Sequence, residues 1–157
     1  MIVQRAQASD IDTLVDLRIS YLQEDQGLLN DEDAVLIAGR LPEYFRAHLN
    51  RDLFCYVIRD ESRIVSCAFL LVVEKPMSPA FINGRTGTVL NVYTLPSHRR
   101  KGCAGLLINE LLTDAVKMDL CTVELKATDA AYPLYRSAGF ADDAQKYHLM
   151  KWKSPRF

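Results

Sequence analysis

Val89–Leu112, VLNVYTLPSHRRKGCAGLLINELL, changes character along its length, and that change decides the fold. Its first part, through Leu95, is rich in β-branched and apolar residues and reads as a strand. Pro96 closes the strand, and a basic turn follows, Arg99-Arg100-Lys101-Gly102. From Cys103 onward Leu106, Leu107, Leu111, Leu112, Ala115 and Val116 recur at helical spacing. Strand, basic turn and helix in that order place the free N–H groups of a helix start beside three cations. Gly102 and the small Ala104 let a ligand approach the backbone closely. The segment is therefore a candidate anion site with pyrophosphate as its natural guest, built from Arg99, Arg100, Lys101, Gly102, Cys103, Ala104 and Gly105. The bland alternative is a solvated basic turn ahead of an ordinary core helix. No GxxxxGK(S/T) loop and no GxGxxG run is present, which counts against an ATP or dinucleotide site.

Working outward, residues 1–6 (MIVQRA) alternate as a first strand would, and Ser9 or Asp10 offers a helix cap before Ile11, Leu14, Val15, Leu17 and Leu22. A looser helix is expected over Asp31–His48, interrupted near Pro42. Leu53–Ile58 and Arg63–Val73 read as two strands of a hairpin about Asp60-Glu61-Ser62. Gly84-Arg85-Thr86-Gly87 marks the turn before a strand over Thr88–Leu95. After the central helix, Thr122–Ala127 reads as a strand and Ala131–Ala138 as a short helix ended by Gly139. Tyr147–Trp152 is expected as a final strand. The order β-α-α-β-β-β-α-β-α-β predicts an α/β (α+β) fold, a mixed sheet flanked by helices.

With 157 residues, the chain has the size of one domain, assigned to residues 1–157. Nineteen Lys+Arg against twenty Asp+Glu give a net charge of −1, so nucleic acid is not an expected partner. Met1–Asp10 lacks the apolar run and cleavage site of a secretory signal, and no segment is apolar enough to span a bilayer. The expected location is cytoplasmic, without membrane association. Cys55, Cys67, Cys103 and Cys121 form no CxxC pair, the histidines His48, His98 and His148 are not at ligand spacing, and no metal is inferred.

The run Pro96–Ala104, PSHRRKGCA, resembles the acetyl-CoA signature (R/Q)-x-x-G-x-(G/A) of the GNAT superfamily of N-acetyltransferases, with Arg99, Gly102 and Ala104 on its defined positions. Downstream, Ala131, Leu134, Tyr135, Gly139 and Phe140 are similar to that family's A-x-x-L-Y-x-x-x-G-F element. The resemblance covers residues 86–150 well and the first half by element order alone. It implies a GNAT-like domain with a central sheet of about six to seven strands and about four helices, split between strands 4 and 5. The acceptor side would be mainly 1–87 and the acetyl-CoA side mainly 88–157.

The same resemblance implies that the loop amides hold the CoA pyrophosphate and that pantetheine lies along Val92, Tyr93 and Thr94, beside a bulge. Thr128 stands where many relatives have Asn contacting the pantetheine arm. Tyr135 is the expected general acid for the departing thiolate, against the alternative of a packed amphipathic tyrosine. Backbone amides near Tyr93 and Thr94 are the expected oxyanion donors. Where relatives often keep a glutamate, the central strand has Asn91, which cannot be a base but could position a water. Asp25, Glu32, Glu43 and Glu74 are remote candidates for the base, each more commonly a solvated surface charge.

The reaction implied is direct attack of a primary amine on acetyl-CoA in a ternary complex. A covalent route through Cys103 or Cys121 lacks a His–carboxylate partner. Asn91 keeps open a second reading, a domain that binds acetyl-CoA or a metabolite without turnover. Glu24, Asp25, Asp31, Glu32, Asp33 and Glu43 hint at a cationic acceptor, with a solvated helical face as the alternative. Family habit implies a homodimer through the C-terminal strand.

Overall fold

The computed structural model describes residues 1–27, 29–143 and 146–156. Two compact units divide the chain, Met1–Lys126 and Ala127–Phe157. In the first, β1 (Val3–Arg5) leads to α1 (Ile11–Gln26) and α2 (Asp31–His48), then to β2 (Leu53–Asp60), β3 (Arg63–Glu74) and β4 (Arg85–Thr94). α3 (Cys103–Lys117) and β5 (Thr122–Glu124) complete it. The strands lie in the order β1-β2-β3-β4-β5, antiparallel except for the parallel β4–β5 pair.

Alternation along β2 and β3 splits their side chains between two helical layers. Leu53, Cys55 and Val57 from β2, with Cys67 and Phe69 from β3, join Leu14 and Leu17 of α1 and Phe45 of α2 in one buried cluster. The other face carries α3, whose Leu107, Ile108 and Leu111 are fully buried. Each such side chain contributes about 1.5–3 kcal/mol of transfer free energy. α3 is also held by a polar tie: Asp114 accepts from the Tyr56 hydroxyl at 3.1 Å, from Arg5 Nη2 at 2.7 Å and from Lys117 Nζ at 3.0 Å.

Burial alone would raise the Asp114 carboxyl pKa, but the bonds from Arg5, Lys117 and Tyr56 outweigh it, leaving it below its ordinary 3.8. The unfolded chain therefore binds this proton first as pH falls, and the stability the group supplies is complete above about pH 4 and lost through the folded pKa below it. Asp114→Asn is expected to lower stability at pH 7 by about 1–3 kcal/mol, a deficit that shrinks as pH falls below 4. Urea unfolding at a series of pH values checks both.

α2 departs from expectation by running unbroken through Pro42. The ring removes one ladder bond, but Phe45, 1% exposed and edge-on to Phe69 at 5.8 Å, anchors the last turn in the core. β4 begins earlier than expected, at Arg85, so Gly87 lies within the strand. A Cβ there would stand 2.7 Å from Leu70 Cδ1. β5 is shorter than read, ending at Glu124.

The second unit holds α4 (Tyr132–Ser137), with Pro133 in its first turn as its missing N–H requires, and Gly139 in the left-handed region at φ 98°. Tyr147–Trp152 forms no strand, and Tyr147, Leu149, Met150 and Trp152 are exposed. Alternation gives a segment two faces but supplies no partner edge, and an unpaired strand has no ladder bonds. The sheet of the described residues thus has five strands, not six to seven; the α/β architecture and the split beside strand 4 stand.

Candidate active site

The β4–β5 pairing extends only over Thr86–Thr88 against Thr122–Glu124. From Val89 to Thr94 that edge of β4 has no neighbouring strand among the described residues, while its other edge remains bonded to β3. The register slips there: Leu90 faces Phe69 and Tyr93 faces Cys67, so Asn91 and Val92 together oppose Ala68. Asn91 takes φ 51°, a left-handed conformation that Asn tolerates better than most residues. The result is a bulge at the point where the sheet opens.

Asn91 is buried and points toward α1. Its Oδ1 accepts from Arg18 Nη1 at 3.1 Å, and its Nδ2 approaches Cys67 Sγ at 3.5 Å. Cys67 itself is sealed beneath the bulge, and desolvation pushes its thiol up to about 12, so it is no nucleophile. Tyr93 lies on the same face. The β-strand end is fixed from the β3 side, where Ser66 Oγ donates to the Tyr93 carbonyl at 3.0 Å and lies 2.7 Å from Thr94 Oγ1.

Beyond Thr94 a single helical turn, Pro96–His98, leads into the basic loop. His98 is engaged at both nitrogens, by Ser97 Oγ and Asp60 Oδ2, each at 2.9 Å. Arg100 at φ 62° and Gly102 at φ 81° are both left-handed. Leu106 donates to the Gly102 carbonyl as the α3 ladder begins, so the amides of Cys103, Ala104 and Gly105 precede it. A Cβ on Gly102 would meet no protein atom within 4 Å. Arg100, Lys101 and Gly102 are exposed, Ala104 and Gly105 partly so, and Cys103 is buried.

Arg99 behaves differently from its neighbours. Its Nε donates to the Thr94 carbonyl at 2.9 Å, and its Nη2 forms an ion pair with Glu24 of α1. Glu24 also accepts from the Tyr93 hydroxyl at 2.7 Å. These two donors, Tyr93 first, hold the Glu24 carboxyl below its ordinary range. The guanidinium thus ties the end of α1 to the end of β4, with its charge at the rim of the loop. Sequence reading placed Glu24 in a possible acceptor patch and missed its tie to Arg99 and Tyr93, and missed Arg18 altogether, because contacts made across the fold leave no local pattern.

Among the other acids of the expected acceptor patch, Asp31, Glu32 and Asp33 form the first turn of α2, capped by Asn30 Oδ1 accepting from the Asp33 amide at 2.8 Å. That placement complements the helix dipole. Thr128 and Tyr135 belong to the second unit. Thr128 turns the chain into α4, its carbonyl accepting from Ala131 and Tyr132 at 3.0 and 2.9 Å and its hydroxyl from Ala131 at 3.3 Å. Tyr135 is 7% exposed and packs edge-on against Phe140, 5.9 Å between ring centres. Among the described residues no cluster of His, Cys, Asp or Glu could hold a metal, and no helix is long and apolar enough to cross a membrane.

Residues 15–140 match the acetyltransferase (GNAT) family, and the chain belongs to it. Among solved structures it is similar to a predicted acetyltransferase of Clostridium acetobutylicum determined with acetyl-CoA, at 27% identity over 95% of each chain and a TM-score of 0.82. A GCN5-related N-acetyltransferase from Ralstonia eutropha shares the fold at 21% identity, over 95% of this chain and 97% of that one, with a TM-score of 0.74. Glucosamine-6-phosphate N-acetyltransferase from Arabidopsis thaliana does so at 18% identity over 98% of each chain, with a TM-score of 0.68. No curated protein matches the chain.

Proposed function

We propose that this protein transfers the acetyl group of acetyl-CoA to a primary amine by direct attack within a ternary complex. The observation that carries the reading is the conjunction of the Asn91 bulge and open β4 edge with the left-handed Arg100/Gly102 loop at the start of α3. The C. acetobutylicum relative determined with acetyl-CoA supports the choice of donor. Acetyl-CoA supplies the activated acyl group; what the chain supplies is binding, orientation and proton management.

The amides of Cys103, Ala104 and Gly105 and the charges of Arg100 and Lys101 would hold the pyrophosphate. Arg99 acts from the rim and through its tie to Glu24. The free edge of β4 would take the pantetheine arm as a strand takes its neighbour, with Val92, Tyr93 and Thr94 supplying backbone groups and Thr128 a hydroxyl. Backbone amides near Tyr93 and Thr94 would stabilise charge developing on the reacting carbonyl. Tyr135 would protonate the departing thiolate, the role its motif position supports. Asn91, oriented by Arg18, is the candidate to position a water that receives the amine's proton.

The test is release of free thiol from acetyl-CoA across a panel of amines, with acetylated product identified by mass spectrometry. Amine-dependent thiol release with a product heavier by one acetyl group is expected. Acetyl-CoA binding without turnover on any amine would select the sensor reading instead.

A further inference from the structure

Arg18 differs from the arginines that form ion pairs across the fold. Arg5, Arg59, Arg85 and Arg99 each pair with a carboxylate, on Asp114, Asp10, Glu74 and Glu24 respectively. Arg18, half-buried between α1 and β4, has no carboxylate within 4 Å among the described residues. Its contacts are one hydrogen bond to Asn91 Oδ1 at 3.1 Å and the ring of Tyr21, whose centre lies 5.5 Å from the guanidinium carbon. Tyr44, Asp25 and Cys67 each favour its charged form. Burial is the main influence on the group, pulling its pKa below the ordinary value, though a guanidinium remains a cation throughout the working range of pH.

A charge drawn out of water without a close counter-ion is costly, and folded proteins ordinarily pair it or replace it with an apolar residue. Here the cation is retained on the residue that forms the bulge, with donors of a planar fork left over after the single bond to Asn91. A fork of that kind matches a carboxylate. We propose that Arg18 is the anchor for a carboxylate on the acceptor, which makes the substrate class small amino acids, whose amine and carboxylate are a few bonds apart. Seating the carboxylate on Arg18 keeps the amine within a short reach of Asn91, the place where the sheet opens. The Tyr21 ring lies over the guanidinium and favours its charge without engaging its N–H donors. Glu24, one of the acids that hint at a cationic acceptor in the sequence, is occupied by Arg99 and Tyr93.

This inference rests on the acetyl-transfer reading, and the experiment separates the two. Thiol release from acetyl-CoA is measured with the proteinogenic amino acids, with their carboxamides, and with aminoalkyl phosphonates of matched length, using the wild-type chain, Arg18→Met and Arg18→Lys. At least one amino acid is expected to exceed its carboxamide about a hundredfold in kcat/KM, the size of a lost charge-assisted bond. Arg18→Met is expected to erase that preference, bringing the acid-to-carboxamide ratio in kcat/KM to near one, over and above any loss common to both substrates from removing the donor to the buried Asn91 Oδ1. Arg18→Lys should recover part of the preference, keeping the charge without the fork. A merely structural arginine would move acid and amide substrates alike and leave their ratio unchanged. Equal rates on acids and carboxamides, preference for phosphonates, or acetyl-CoA binding with no amino acid turned over would overturn the Arg18 proposal. Failure to bind acetyl-CoA at all would overturn the activity beneath it.

Discussion

Tyr135→Phe should lower kcat for acetyl transfer by about a hundred- to a thousandfold while leaving acetyl-CoA affinity within about twofold. The substitution removes one hydroxyl and keeps the ring that packs against Phe140. A proton donor to the departing thiolate acts only as the bond breaks, and its loss falls on kcat with KM little changed. The deficit should be smaller for acyl donors whose thiol is more acidic, since those leave without help. Steady-state kinetics with acetyl-CoA and an acyl donor of lower thiol pKa measure both effects. A kcat within about threefold of wild type would remove Tyr135 from the chemistry and leave it a packing residue.

The second large effect is expected at Gly102. Its φ of 81° suits Asn and Asp among the residues with side chains, and an added Cβ meets no protein atom. Gly102→Asn and Gly102→Asp should therefore fold equally well, each at a cost of about 1 kcal/mol for the left-handed backbone. They differ in a single charge placed against the loop amides. Gly102→Asp should weaken acetyl-CoA binding about a hundredfold relative to Gly102→Asn, by repulsion of the pyrophosphate. The ratio should narrow as salt rises, since the loop is exposed. Equal affinities of the two variants would place the pyrophosphate elsewhere.

Much of this arrangement was legible in the sequence because it is local. The strand ending at Thr94, the basic turn and the apolar repeat of α3 are each written within a few residues of themselves, and Gly102 and Gly139 mark backbone positions that demand a left-handed conformation. The hairpin about Glu61 was equally readable, and the structure places Glu61 at φ 52° in its turn. Pro42 misled because a helix breaker is a local signal, whereas Phe45 holds the helix through burial against β3. Tyr147–Trp152 misled in the opposite sense: alternation describes the faces of a strand without providing its edge.

Asn91 shows where local reading ends. Its place in the central strand was identifiable, and its lack of basicity follows from its chemistry. Its attachment to Arg18, 73 residues away, does not. Nor does the tie from Glu24 to Tyr93 and Arg99, which converts a residue of the supposed acceptor patch into a brace between α1 and β4. Contacts of this kind depend on how the layers stack, and stacking is decided by the whole core.

The central claim, that the Arg100–Gly105 loop and the open edge of β4 together bind acetyl-CoA, is tested most directly by isothermal titration of the purified chain with acetyl-CoA, with ATP as the comparison ligand. One-to-one binding in the micromolar range, little or no heat with ATP, and loss of affinity in Gly102→Asp are the results this account predicts. A well-folded protein that binds no acetyl-CoA, or binds ATP equally well, would contradict it.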